Sequence, residues 1–293
     1  MRIRYLFETT IALLVFAAAY ALIRIALSEI PPLTLGAIRF ILASGIMLPL
    51  VLVRYRGNAC KIVRSDLLVF TVLAIVQIVI PNALQNIGLE YTTASVSSVL
   101  QSTTPVFTLL FSFALLKERV GSKDLVGVIL GITGVSLLST GGNLSGLGGL
   151  VFVGNLLQLG VAASYAASGI VGKVLLKRFD PVFVVTVSFV IGAFVLTGFA
   201  TWQEINKWPS SLSTEVVVAV LLLSGLYCVA LVSWYDVLQH TSVFRLYVLL
   251  FTMPVLAVLI SVLVLGETFT LMDILFSALT LSGVAITQFR NQK

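Results

Sequence analysis

Residues 105–118 read PVFTLLFSFALLKE, and residues 254–267 read PVLAVLISVLVLGE. Each is an apolar run opened by Pro-Val and closed by glutamate. The two stand 149 positions apart, and the same offset recurs without a gap over most of the chain. Pro32 matches Pro181, Thr92 matches Thr241, and Gly134-Val135 matches Gly283-Val284. Glu118 and Glu267, Asp124 and Asp273, and Asp66 and Glu215 also pair, so six of the twelve acids obey the repeat. A soluble domain gains little from such duplication. A membrane transporter gains two half-units around a shared site.

Composition places the chain in a bilayer. It is 59% hydrophobic and 10% charged, with a mean hydropathy of +1.10, whereas a soluble domain is about 25% charged. So few charges cannot cover a water-facing surface. Runs of about 20 apolar residues span the hydrocarbon as helices. The pattern predicts ten: 6–27, 33–54, 66–86, 94–116, 122–140, 149–173, 181–202, 214–235, 241–265 and 270–289. The first reads as a retained helix, since no small-residue cleavage site follows a short apolar core. Alternating strands of about 10 residues, the mark of a membrane β-barrel, do not occur.

Basic residues set the orientation. Arg2 and Arg4 precede the first span; Arg54, Arg56, Lys61 and Arg64 follow the second. Lys117, Arg119 and Lys123 follow the fourth, Lys173, Lys177 and Arg178 the sixth, and Arg290 and Lys293 come last. All fall on one side, and only Lys207 lies clearly in a loop on the other. Both termini are then cytoplasmic by the positive-inside rule. Five spans per half is an odd number, so the second half enters the membrane upside down. The expected fold is therefore an all-α membrane protein of ten transmembrane helices, built as two inverted-topology five-helix repeats over residues 1–140 and 149–293.

Several stretches resemble one known group. Leu89-Glu-Tyr-Thr-Thr-Ala-Ser-Val-Ser-Ser-Val-Leu, Pro105-Val-Phe-Thr-Leu-Leu, Leu116-Lys-Glu118-Arg and Gly131-Ile-Thr-Gly-Val135 are similar to the EamA family of the drug/metabolite transporter superfamily. Ile38-Arg39-Phe40 and Ala163-Ser164-Tyr165-Ala166 fit it too, and the second half repeats the signature as Leu238-Gln-His-Thr-Ser, Pro254-Val and Gly266-Glu267. The resemblance covers the whole chain. It implies ten helices, two inverted repeats, and a central cavity lined mainly by helices other than the fifth and tenth. It also implies the export of amino acids or related metabolites.

Polar residues at membrane depth are costly and mark candidate sites. The third span carries Gln77, Pro81 and Gln85 on one helical face, with Asn82 and Asn86 nearby. Pro81 removes a backbone donor and frees a carbonyl one turn earlier, as half-broken helices do. The fourth span offers Ser98 and Gln101, the sixth Gln158 and Tyr165, and the eighth Tyr227 and Trp234. These nine (Gln77, Asn82, Gln85, Ser98, Gln101, Gln158, Tyr165, Tyr227 and Trp234) are the substrate-binding candidates. Two roles fit the amides, lining a cavity or joining helices by hydrogen bonds. The aromatics fit a cavity wall, packing or an interfacial anchor; Trp234 and Tyr235 near the cytoplasmic end fit the inner aromatic belt, and Tyr235 reads as such an anchor. Amides from one half opposed to aromatics from the other would suit an amphipathic organic molecule.

Charged residues near span ends are gating candidates. Asp236 and Arg245 flank the turn between the eighth and ninth spans; Arg39 and Glu90 lie toward the outer side. Ion pairs that swap as the repeats rock are one reading, and snorkelling to headgroups the other. Gly127 and Gly131 form a close-packing signal that joins the fifth helix to the tenth or serves a dimer.

The leading expectation is a secondary transporter that moves a small organic metabolite, most simply an amino acid, aromatic ones included, by alternating access. A multidrug or lipid-linked substrate is the alternative. No phosphate-binding G-x-x-x-x-G-K-[ST] motif occurs. An intramembrane enzyme would need paired carboxylates or histidines at depth, and the single histidine, His240, lies in a turn. No catalytic or metal residue and no cofactor is expected. The partners expected are the substrate and membrane lipids, with no nucleic acid, and the chain is a monomer or a homodimer.

Overall fold

The computed structural model describes residues 3–55, 63–91, 100–101, 103–117, 121–140, 150–209, 211–253, 255–256 and 271–288. Among them all regular structure is helical. Helices α1 (Ile3–Ala26), α2 (Pro32–Arg54) and α3 (Arg64–Ala74) lead through a π turn (Ile75–Val79) into α4 (Ile80–Tyr91). Then come α5 (Thr104–Leu116), α6 (Ser122–Thr140), α7 (Leu150–Leu175), α8 (Pro181–Glu204), α9 (Thr214–His240), α10 (Val243–Val248) and α11 (Leu271–Gln288). Four helical stretches, Pro32–Arg54, Arg64–Gly88, Pro181–Lys207 and Thr214–His240, are long and apolar enough to cross a membrane. The expected spans 94–116 and 241–265 fall in part outside the described residues.

Local chemistry explains the helix ends. The matched Pro32 and Pro181 open α2 and α8 in the first turn, where a missing N–H costs nothing. Asp180 caps α8 by accepting from Phe183 N at 3.1 Å. Lys117 closes α5 in the left-handed region, with φ 54°. Its repeat mate in the sequence is Gly266, the residue that enters this region without strain. The C-terminus of α9 is held by Lys173, whose Nζ donates to Leu238 O at 2.6 Å and Gln239 O at 3.0 Å. A cation there satisfies carbonyls that a helix end leaves open.

Pro81 does not break its helix. The chain widens one turn earlier into the π turn, where Ile80 N donates to Ile75 O. The Asn82 side chain donates to Ile78 O at 2.7 Å. The wider turn absorbs the donor that proline lacks, so the helix stays continuous.

The described residues form two compact units: Met1–Asn86 with Val171–His240, and Ile87–Ile170 with Thr241–Lys293. Each takes helices from both halves of the chain. In the first unit α2 lies along α8 and α1 along α9. Helix α2 meets its own repeat mate, and the two run antiparallel. The Glu204 carboxylate accepts from Leu33 N (3.2 Å), Thr34 N (2.8 Å) and Thr34 Oγ1 (2.9 Å). Further along, Phe40 meets Phe189 at 5.4 Å between ring centroids, and Tyr55 meets Phe183 at 5.4 Å. Phe40 and Phe189 are themselves 149 apart, so one aromatic pair joins equivalent points of the two halves.

The second unit shows the same pattern in α6 and α11, again repeat mates. A Cβ added at Gly127 would lie 2.6 Å from Gly283 O, and one at Gly134 would lie 3.0 Å from Phe276 O. These two contacts exchange under the offset of 149, as they must if a two-fold relates the helices. Numbers rise along α6 as they fall along α11, so this pair is antiparallel as well. In lipid no hydrophobic force drives helices together, and close backbone approach at small residues does so instead. The Gly127–Gly131 signal thus serves contact between the fifth and tenth expected helices. Around it pack Val128, Val135, Val248, Phe251 and Val284.

One expectation is corrected. Tyr235 is 1% exposed, so it does not sit in a lipid-facing aromatic belt. Its ring lies against Gly172, where an added Cβ would come within 2.8 Å of Cε1. The glycine opens a slot that turns the ring inward.

Candidate functional site

The first unit carries a cation inside an aromatic cluster. Arg39, about two turns into α2 on its buried face, is 6% exposed. Its guanidinium carbon stands 5.6 Å from the centre of the Phe40 ring and 5.5 Å from that of Tyr227, which lies near the middle of α9. Tyr227 stacks on Phe189 of α8 at 6.1 Å and meets Phe40 edge-on at 6.0 Å. Phe16 of α1 joins Tyr227 at 5.9 Å and Trp234 at 5.7 Å. Arg39, Phe40, Phe189 and Trp234 are buried, while Phe16 and Tyr227 are half-buried and keep part of each ring open. A snorkelling arginine would reach outward, and this one is turned into the protein. Cation–π contacts of about 2 kcal/mol when desolvated partly offset the cost of burying a charge.

The π turn that leads into α4 brings an amide close to the same depth. Asn86 Nδ2 donates to Pro32 O at 2.9 Å, and Asn82 Cβ is 3.8 Å from the Cβ direction of Gly36. As α2 numbers rise, α4 numbers fall, so residues 39–41 come level with 77–79. Gln77 in the π turn is 3% exposed, and its Oε1 has no hydrogen-bond partner among the described residues. Such a buried acceptor is expensive to leave unmade. Gln85 is also buried. Asn82 serves its own helix, and Asn86 ties α4 to the start of α2.

The second unit joins two of the candidate amides. Gln101 Nε2 donates to Gln158 Oε1 at 2.8 Å, and both side chains are buried. Gly88 admits this amide, since a Cβ there would lie 2.6 Å from Gln158 Nε2. Tyr165 is half-buried on the same helix, α7. Ser98 lies outside the described residues, as does the side chain of Glu90.

Among the gating candidates, Asp236 accepts from Arg4 Nη2 at 2.8 Å, and Arg4 Nε also reaches Glu8 at 2.7 Å. Glu8 therefore sits in an ion-paired cluster near the start of α1. Arg245 lies in α10, whose cap Ser242 accepts from its backbone N at 3.3 Å. Arg4, Phe40 and Phe189 were not among the sequence candidates, although the offset of 149 links the two phenylalanines.

The family model for EamA-like transporters matches residues 5–140 and again residues 152–289. The chain belongs to the EamA family. The family model thus matches the chain twice, once in each half. The chain is also 28% identical over 278 residues to an "uncharacterized transporter" of Archaeoglobus fulgidus, covering 94% of each. It is 24% identical over 274 residues to the uncharacterized transporter YetK of Bacillus subtilis, covering 92% of this chain and 82% of that one. A solved crystal structure superposes with a TM-score of 0.81 at 19% identity, covering 98% of both chains, and shows the same fold. This EamA member is thus a multi-pass membrane protein of a transporter family.

Proposed function

We propose that this EamA member is a secondary transporter that moves an amino acid, aromatic ones included, out across the cytoplasmic membrane by alternating access. The observation that carries the reading is Arg39, a cation buried at membrane depth against the rings of Phe40 and Tyr227. Ionisable groups inside a membrane protein mark substrate paths. The aromatic cluster suits an apolar body, and the arginine suits a charged end. Ten spans in two inverted five-helix repeats, with both termini cytoplasmic, form the frame. The antiparallel packing of repeat mates in α2–α8 and α6–α11 supports the inversion.

Counterflow in proteoliposomes tests the function. Purified protein loaded with a mixed pool of amino acids and other metabolites exchanges a few amino acids selectively, as read by mass spectrometry, and Gln77→Ala lowers that exchange. A folded protein that exchanges none of them would refute the amino-acid assignment.

The inner gate works, in this reading, by trading partners of Asp236, from Arg4 in the present arrangement to Arg245 in another. Asp236→Arg alone and Arg245→Asp alone each reduce exchange, and the double reversal restores part of it. A double variant no better than the singles would remove Asp236–Arg245 from the gate.

A further inference from the structure

We infer that His240 is a pH-operated catch between the first turns of α1 and the last turn of α9, tightening as its imidazole takes a proton and slowing exchange when it does. The effect on exchange rests on the transporter reading above; the catch itself rests on contacts within the first unit. His240, the one histidine of the chain, ends α9 and is exposed, so protons reach it from solution. Its Nδ1 lies 2.8 Å from Asp236 O. A carbonyl only accepts, so Nδ1 carries a hydrogen and Nε2 is the nitrogen that gains and loses the proton. The ring stacks on Tyr5 of α1, with centroids 5.2 Å apart and planes inclined by 24°. A neutral imidazole there is one aromatic ring on another. An imidazolium is a cation on a ring face, a stronger contact. Histidine is the side chain that makes this change between about pH 5 and 8.

The charges around the ring set the direction. One guanidinium serves two carboxylates: Arg4 bonds Glu8 at 2.7 Å and Asp236 at 2.8 Å. Glu8 Oε2 is enclosed and has no hydrogen-bond partner among the described residues. The carbonyl end of α9 adds partial negative charge. Against these stand Arg4 itself and Lys173 of α7, whose Nζ is engaged by Leu238 O and Gln239 O. Arg245 follows five residues along the chain, in α10. Two acids that share one cation draw in a second, and the imidazolium supplies it between them and Tyr5. The ends of α1 and α9 then hold together, Arg4 stays on Asp236, and the inner gate trades partners less often.

Two measurements on the full chain test the catch. The first is hydrogen–deuterium exchange in detergent at the amides of residues 7–10, which close the first turns of α1, corrected for the intrinsic effect of pH. They are protected roughly two- to fivefold more at about pH 6 than at about pH 8, the scale of an exposed cation–π contact. The second is counterflow of the mixed amino-acid pool in proteoliposomes with equal pH on both sides, which is slower at the lower pH by a similar factor. His240→Asn keeps a donor for the carbonyl one turn back, as Asn82 does for Ile78 O, and cannot titrate. It removes the pH dependence of both readouts, and Tyr5→Leu reduces it. If His240→Asn keeps the dependence, or protection in the intact protein does not change with pH, the catch is wrong while the transporter reading stands. If protection changes and counterflow runs equally fast at both pH values, the catch does not act on exchange and the inference falls. If protection changes as expected and no amino acid is exchanged at either pH, the transporter reading falls and the catch remains.

Discussion

Replacing Glu204 by alanine is expected to lower the stability of the protein by about 3 kcal/mol, because charge-assisted hydrogen bonds are worth roughly 1.5–3 kcal/mol and their buried partners become orphans. The carboxylate is 8% exposed and accepts from three donors at the start of α2. Two of them, Leu33 N and Thr34 N, are N–H groups that a helix cannot satisfy itself, and a negative charge at that end also favours the helix dipole. Thermal unfolding in detergent should fall by roughly 6–12 °C at about 2–4 °C per kcal/mol for a chain of this class. Glu204→Gln keeps one acceptor oxygen and should lose about half of that, and Thr34→Val, which removes only the hydroxyl donor, about 1 kcal/mol. A fall below about 2 °C for Glu204→Ala would show that the clamp adds little.

The second large effect has a sign that flips with position. A methyl group at Gly283 would sit 2.5 Å from Gly127 O and 2.7 Å from Gly131 N. Both neighbours are backbone, so neither can turn aside, and α6 and α11 must separate. Gly283→Ala should cost about 3 kcal/mol, the upper range for overpacking. At Gly45, Gly198 and Gly225 nothing lies within 4 Å of an added Cβ. There the same substitution should stabilise by up to about 1 kcal/mol, through helix propensity alone. Melting curves of the four single variants decide it. Equal shifts at all four positions would mean that the α6–α11 contact is not held by backbone approach.

Much of the fold was legible in the sequence. The offset of 149 pairs Pro32 with Pro181 and Gly134 with Gly283, and those pairs open α2 and α8 and face the α6–α11 seam. The offset does not say what a helix packs on. Gly127 and Gly131 fit either a partner helix or a second chain until Gly283 is seen against them. Phe40 and Phe189 also share the offset, but among 18 phenylalanines such a coincidence carries little weight until the rings meet. Tyr235 looked like an anchor because its distance along the chain fits the interface, and only Gly172 opposite it shows why the ring turns in. Pro81 announced a disturbance without its form, since a break and a π turn both answer a missing donor. Arg39 was visible as a charge. Its inward direction was not, because that depends on α9 bringing Tyr227 beside α2.

The pairing of α2 with α8 also has a meaning in time. The partners are 149 residues apart in the chain, and at synthesis rates of about 5–20 residues per second the first helix waits roughly 7–30 s for the second. Through that interval the face of α2 that carries Arg39, Phe40, Ala43 and Met47 has no mate. A nascent chain that stops before residue 204 therefore leaves that face of α2 without the helix that covers it.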